Sequence, residues 1–255
     1  MNHLSDLSKT LPLSVALTRL PLEILIKITE FLSTKDILKL SICSKYLRDL
    51  VYLVKINDKV YFDKISGLSY FDSFTNVVYK NFGGTFPKSL QVLYWDCEEI
   101  LPSSLPDSLR SLELGFNYNK PLLQLPNSLE SLDLGYIYNL PLPQLPNSLR
   151  ILDLSSNYNL PSSRGLPDSL QYLHLGKDYD QPLLYLPYSL KNLYLGFSYN
   201  QPLPQLPDSL QSIHLGYCYN HRLPQLADSL KYIKAWKIYQ YLHDIPNRIF
   251  VEFLG

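Results

Sequence analysis

The sequence predicts an α+β chain: a small N-terminal module of three short helices, followed by a β-solenoid of ~20-residue units with a parallel sheet. Three observations carry this. Leucine recurs at Leu90, Leu109, Leu129, Leu149, Leu170, Leu190, Leu210 and Leu230, with successive spacings of 19, 20, 20, 21, 20, 20 and 20 residues. A fixed period of that size marks a solenoid built from one repeated unit. Prolines, 19 in the chain, punctuate the array about every ten residues and exclude long helices there. Ahead of the array, apolar residues fall instead at helical spacing.

Residues 1–13 read as a tail. From Leu17 the text becomes LTRLPLEILIKITEFLSTKDILKLSICSKYLRDLV. Pro21 suits the first turn of a helix, where its missing N–H costs nothing. Leu20, Ile24, Ile28 and Phe31 or Leu32 then follow at helical spacing. Ser33 and Asp36 form a capping box that opens a second helix carrying Ile37, Leu38, Leu40, Ile42 and Cys43. Ser44 restarts the chain into a third with Tyr46, Leu47, Leu50 and Val51. Three short helices this apolar cannot bury all of that surface against one another, so part of it should face a partner.

Residues 52–85 read as a junction with short β-like stretches, Val77 to Tyr79 among them, and a turn at Gly83–Gly84. Each unit of the array then opens with a turn signal, as in Leu125-Pro126-Asn127-Ser128 or Leu206-Pro207-Asp208-Ser209. Proline presets the second position of a type I turn and Asn or Asp tolerates the third. A strand follows, with Leu112/Leu114, Leu132/Leu134, Leu152/Leu154, Leu173/Leu175, Leu193/Leu195 and Ile213/Leu215 pointing inward and the residues between them outward. The return arms hold too many prolines for helix and should be extended or turn-like.

Tyrosines Tyr118, Tyr138, Tyr158, Tyr179, Tyr199, Tyr219 and Tyr239 keep register. Asn119, Asn139, Asn159, Asn200 and Asn220 follow them, with Asp180 replacing one. A binding ladder is one reading. The other is architecture, with buried Asn side chains satisfying turn backbone and tyrosines stacking along the solenoid. At the far end Ala227 replaces a turn proline and Ala235 a core leucine, before a last strand, IFVEFLG. Atypical end units are what a cap requires.

Two resemblances sharpen these expectations. LPLEILIKITEFLSTKDILKLSICSKYLRDL resembles an F-box, with LP-x-E-I-L, a short helix, an S-x-x-D turn and a second hydrophobic helix over Leu20 to Val51. Thr29 and Cys43 stand where a bulkier aliphatic is common. The resemblance implies docking onto a Skp-type cullin adaptor through Leu20, Pro21, Ile24, Leu32, Leu38 and Leu40. The alternative is that the helices only cap the solenoid. LPxSLxxLxLGxxYNxPL, over about residues 86–255, resembles FNIP repeats, which are leucine-rich-repeat-like, and Leu109 to Asn117 spells LxxLxLxxN literally. Such arrays behind an F-box are similar to proteins of social amoebae and of giant viruses that infect amoebae. The domain reading is then a tail over 1–13, an F-box over 14–55, a junction and solenoid N-cap over 56–85, and repeats with a C-terminal cap over 86–255.

The outward column between the strand leucines reads Tyr94, Glu113, Asp133, Asp153, His174, Tyr194, His214 and then Lys234. Carboxylates on strands ~4.8 Å apart repel by roughly 1 kcal/mol per neighbour in water, and Arg110 and Arg150 stand near enough in sequence to relieve them. The column is either a target-binding face whose acidic half meets Lys or Arg on a partner, or a solvated strand face.

Composition narrows the function. Basic and acidic side chains number 23 each, so no basic excess calls for nucleic acid or an anionic membrane. No stretch approaches ~18 apolar residues or reads as a signal peptide. Three scattered cysteines and His174 and His214 two strands apart offer no metal site. No phosphate loop, nucleophile elbow or Cys/His dyad is readable. The expectation is a non-enzymatic, cofactor-free cytoplasmic protein, in host cytoplasm if viral, with no small-molecule substrate. The F-box resemblance implies the substrate-recruiting subunit of a Skp–cullin–F-box ubiquitin ligase, with the repeats binding a protein target. The alternative is an interaction scaffold or an adaptor-sequestering decoy.

Overall fold

The computed structural model describes residues 17, 20–43, 47, 50–161 and 165–255 of the 255-residue chain. The expected tail over 1–13 lies outside them. The chain divides into two compact units, Met1–Val77 with Thr85–Leu90, and Val78–Gly84 with Gln91–Gly255.

In the first unit α1 spans Leu22–Thr29 and α2 spans Thr34–Cys43. Pro21 is the N-cap of α1, one position earlier than its sequence predicts. It still serves the start: its carbonyl accepts the Ile24 and Leu25 N–H groups at 3.1 and 3.2 Å, and no N–H of its own is wasted. The α2 start is the predicted box. Ser33 Oγ accepts the Asp36 N–H at 3.3 Å and donates to the Asp36 carboxylate at 2.8 Å. With Lys39 Nζ at 3.1 Å, these bonds hold the Asp36 carboxyl below its ordinary range, the serine being the larger cause.

Leu25, Leu47 and Leu50 form a small buried cluster, with Leu17, Leu20, Ile26 and Ile28 packed on it. Leu47 and Leu50 are both helical, as the third helix requires, although much of 44–51 lies outside the described residues. Further along, β1 (Val60–Tyr61) runs into the short helix α3 (Phe62–Ile65). Ile56 bridges Phe74 in parallel, and both are almost fully buried. Ser73 Oγ donates to the Val51 carbonyl at 2.6 Å. Strand β2, Asn76–Tyr79, spans the division between the units.

The second unit is the solenoid. Its strands are β3 (Val92–Trp95), β4 (Ser111–Leu114), β5 (Ser131–Asp133), β6 (Ile151–Asp153), β7 (Tyr172–His174), β8 (Asn192–Tyr194), β9 (Ser212–His214), β10 (Tyr232–Trp236) and β11 (Phe250–Leu254). Each pairs in parallel with the next, in chain order. Register follows the repeat: Leu112, Leu132, Leu152, Leu173, Leu193 and Ile213 pair in turn and are 0% exposed. Burying each such side chain contributes about 1.5–3 kcal/mol, and no single layer could do it alone. The 21-residue unit keeps this register because its extra residue falls in the return arm, so Leu152 still pairs with Leu173. None of the described return-arm residues between β3 and β10 is helical.

Two details correct the sequence reading of the turns. The Leu109 N–H donates to the Pro106 carbonyl at 3.0 Å, and the pairs Leu129–Pro126, Leu149–Pro146 and Leu210–Pro207 repeat this. Proline therefore holds the first turn position and Asp or Asn the second. What the turn needs from the first residue is its carbonyl, so Ala227 substitutes without loss, accepting the Leu230 N–H at 3.1 Å. The turn serine then stitches layers: Ser128, Ser148, Ser169, Ser209 and Ser229 each donate to the carbonyl of a leucine one layer back, at 2.6–2.7 Å.

The tyrosines stack as the architectural reading predicts. From Tyr118 to Tyr239 successive ring centroids lie 6.0 to 6.3 Å apart, nearly parallel as far as Tyr219 and tilted by 30° at Tyr239. The Asn ladder also forms, but not from buried positions. Asn119, Asn139, Asn159, Asp180 and Asn200 each accept the backbone N–H of the next layer at 2.8–3.1 Å, from exposed or half-exposed sites. Only the carboxamide oxygen is used on the backbone, so the amide nitrogen can stay in water. After the strand, a Cβ on Gly176 would lie 1.7 Å from the Ser155 carbonyl oxygen, and on Gly196 1.9 Å from that of Gly176. Glycine there is what lets the layers close.

Candidate functional site

Two surfaces carry the sequence-predicted residues, one in each unit. On the helical module none of the six expected adaptor contacts is fully buried. Pro21 and Ile24 are exposed, while Leu20, Leu32, Leu38 and Leu40 are half-buried. Leu20 divides its surface, since it also packs on the Leu25–Leu47–Leu50 cluster. Helix α1 explains this split: Leu25 and Thr29, four residues apart, turn inward, and Leu22 and Ile24 turn out. Phe31, which is not among those six, is 87% exposed. Its signal was its place in the same spacing as Leu32.

On the solenoid the outward column assembles as predicted. Tyr94 pairs with Glu113, Glu113 with Asp133, Asp133 with Asp153, Asp153 with His174, His174 with Tyr194, and Tyr194 with His214. All seven are half-exposed. Lys234 continues the column, and Glu252 on β11 extends it one strand beyond the sequence reading.

Relief of the three carboxylates does not come from Arg110. That guanidinium instead donates to the Ser128 carbonyl at 3.0 Å and lies 3.7 Å from Glu130. It leaves the column because position 110 precedes the strand and does not share its outward face. Asp133 accepts the Gly135 N–H at 2.8 Å, and Asp153 meets His174 Nδ1 at 2.7 Å. Burial, the largest influence, still raises the Asp133 carboxyl above the ordinary range, with Asp153 adding to it and Gly135 and His174 opposing. At the far end Glu252 joins Lys234 at 2.8 Å and accepts the Tyr232 hydroxyl.

A second outward column, missed in the sequence reading, thickens the far half of this face. It runs Ile151, Tyr172, Asn192, Ser212, Tyr232 and Phe250. Tyr172 and Tyr194 rings lie 4.9 Å apart, Tyr194 and His214 4.0 Å, and His214 and Tyr232 5.5 Å. The face thus grades from carboxylates at β4–β6 to a packed aromatic and histidine group at β7–β11. Alternation by two puts both columns outward, and that signal was available.

Among the described residues no group of three or more His, Cys, Asp and Glu could hold a metal ion. The Cys97 thiol is buried, donates to the Tyr79 carbonyl at 3.1 Å and is pushed up to about 12 by burial. That is the opposite of a reactive thiol. No helix among the described residues is long and apolar enough to cross a membrane.

Comparison with known proteins agrees with this geometry. The family model for the F-box domain matches residues 17–59. The model for the FNIP Repeat matches 98–137, 138–178, 162–198 and 179–218. No curated protein matches. Among solved structures, CroV588, a circular leucine-rich-repeat protein of a giant virus, matches at 27% identity and a TM-score of 0.62, over 72% of this chain and 34% of that one. This chain therefore spans about a third of that protein's length. A leucine-rich repeat protein from Bacteroides ovatus is 17% identical over 72% of this chain and 55% of its own, with a TM-score of 0.26. YopM from Yersinia enterocolitica is 19% identical over 71% and 64%, with a TM-score of 0.24. F-box domains bind Skp1-type adaptors, repeat arrays bind proteins, and both families are typically non-catalytic. The chain is an F-box and FNIP repeat-containing protein, with a leucine-rich-repeat-like solenoid behind its helical module.

Proposed function

We propose that this protein is a substrate-recruiting subunit of a Skp–cullin–F-box ubiquitin ligase. The observation that carries the reading is the presence, in one chain, of an F-box match over 17–59 and a repeat array with a graded, half-exposed strand face. The helical module, proposed to span 14–55, holds the adaptor through Leu20, Pro21, Ile24, Leu32, Leu38 and Leu40. The array, 86–255 behind a junction at 56–85, holds a protein target across Tyr94, Glu113, Asp133, Asp153, His174, Tyr194 and His214. Ubiquitin transfer belongs to other subunits, and the setting is cytoplasm, a host's if the protein is viral. The exposed Pro21, Ile24 and Phe31 support the first contact, since apolar side chains left in water on a helical module gain by docking. The acidic run at β4–β6 supports a target with basic side chains.

The test is co-purification of the full chain with a Skp-type adaptor, against Pro21→Asp with Ile24→Asp. Both positions are exposed, so the double variant should fold and lose the adaptor. Reversing Glu113, Asp133 and Asp153 to lysine should spare the adaptor and abolish target binding. A folded wild-type chain that ignores the adaptor would sink the ligase assignment and leave a stand-alone interaction protein.

A further inference from the structure

The repeat frame exposes one layer whose return arm breaks the pattern. At the position of Tyr185 four other layers carry Gln124, Gln144, Gln205 and Gln225, two carry Ser104 and Gly165, and none carries an aromatic. At the position of Tyr188 they carry Lys88, Asp107, Asn127, Asn147, Asp168, Asp208, Asp228 and Asn247, none of them aromatic. Neither tyrosine ring serves the layer-to-layer ladders described above, although the Tyr188 backbone carbonyl accepts the Ser209 hydroxyl at 2.6 Å, and both residues are exposed, at 49% and 80%. Beside them Leu184 is 84% exposed. Large aromatic rings in water at positions where the other layers carry no aromatic need another reason.

Together they line a groove of about 560 Å³ on the turn side of the solenoid. Its flanks are Asp168 and Asp208, the turn residues of the layers before and after Tyr188. Among the described residues its lining holds two carboxylates and no basic side chain. The wall is shaped at one end: a Cβ on Gly165 would sit 1.9 Å from Tyr185 Oη, so glycine there makes room for the ring. The same turn-side groove recurs between other layers without this character. One stretch, lined by Gln124, Asn127 and Ser128, includes Arg110, and another is lined by Gln124, Asn127, Gln144 and Asn147. Leu123 is the counterpart of Leu184, but no tyrosine joins it there.

We infer that the groove of Leu184, Tyr185 and Tyr188 is a second docking site, for an extended protein segment bearing arginine or lysine. Charge complementarity selects the occupant. Two aromatic faces attract a cation electrostatically, and two flanking carboxylates supply its counter-charge. Three turns ~4.8 Å apart span ~10 Å, which an extended hexapeptide of ~20 Å covers with room to either side. The site uses return-arm and turn residues and none of the strand-face residues, so it stands whether or not the ligase reading does.

The experiment titrates the full chain with labelled hexapeptides of one Gly/Leu frame, whose two central residues are arginine, glutamine or glutamate. Two pair variants borrow side chains that neighbouring layers already accommodate: Tyr185→Gln with Tyr188→Asn, and Asp168→Asn with Asp208→Asn. Fluorescence anisotropy should show binding of the arginine peptide alone, weakened about tenfold or more by either pair. The lysine-reversed strand face should leave it unchanged. Equal affinity for the arginine and glutamine peptides overturns the inference. So does an affinity indifferent to either pair, or no binding at ~1 mM, the weak end of useful association.

Discussion

Asp153 and His174 stand opposite each other on β6 and β7, with Oδ1 2.7 Å from Nδ1 at the point where the strand face turns from acidic to aromatic. The side chains are 37% and 41% exposed, so the pair is solvated and its contribution to stability should be small. A double-mutant cycle with Asp153→Asn and His174→Gln, read by denaturant unfolding, should give a coupling of about 1 kcal/mol or less. A coupling several times larger would mean that the face is closed to water.

His214 makes stability depend on pH near neutrality. Burial, then Lys234, lower its imidazole pKa below the ordinary 6.5, against an opposing pull from Glu252. The unfolded chain therefore takes up the proton more readily than the folded one. Stability should be fully present above the unfolded value near 6.5 and decline as pH falls below it. Unfolding midpoints of wild type and His214→Gln, compared across that range, should differ in slope, with the variant the flatter. Parallel curves would contradict the assignment.

The tyrosine ladder should govern the alkaline limit. Burial pushes Tyr138, Tyr158, Tyr179 and Tyr239 up to about 12, and Tyr199 and Tyr219 rise in the same direction. Their folded-state values exceed the unfolded 10.0, so their contribution holds below pH 10.0 and is lost as pH rises toward about 12. Tyrosinate absorbance should report the exposed tyrosines first and the ladder later, in one step that coincides with loss of strand signal. Tyr158→Ala, which opens a gap mid-stack, should cost roughly 3–5 kcal/mol by analogy with buried Phe→Ala changes.

Glycines separate by what faces them. Gly196→Ala puts a Cβ 1.9 Å from the Gly176 carbonyl oxygen and should destabilise by about 1–3 kcal/mol. Gly67→Ala meets nothing within 4 Å and should stay within about 0.5 kcal/mol of wild type. Equal effects would mean that the layers do not approach as closely as the ladder requires.

Much of this was legible because the array is periodic. One leucine every 20 residues fixes the register of each strand on the next, so the order of Tyr94, Glu113, Asp133, Asp153, His174, Tyr194 and His214 could be read directly. The second column, with Tyr172 and Tyr232, obeys the same alternation, but its residues vary from apolar to polar between layers and so carry no repeat signature of their own. Proline's place in the turn was misjudged for a different reason. A turn signal names the residues and not which carbonyl closes on which N–H, and that choice follows from the strand that the turn must deliver.

The sequence by itself determined the two-part plan, the strand faces, the tyrosine stack and the helical caps, since all of these are set by spacing along one chain. Only the tertiary structure decided which outward groups pair, that Arg110 leaves the acidic column for Ser128 and Glu130, that the Asn ladder works from exposed sites, and that Tyr185 and Tyr188 share a groove with Asp168 and Asp208. Those outcomes depend on side-chain direction across layers ~4.8 Å apart, where a rotamer, and not a position in the repeat, selects the partner.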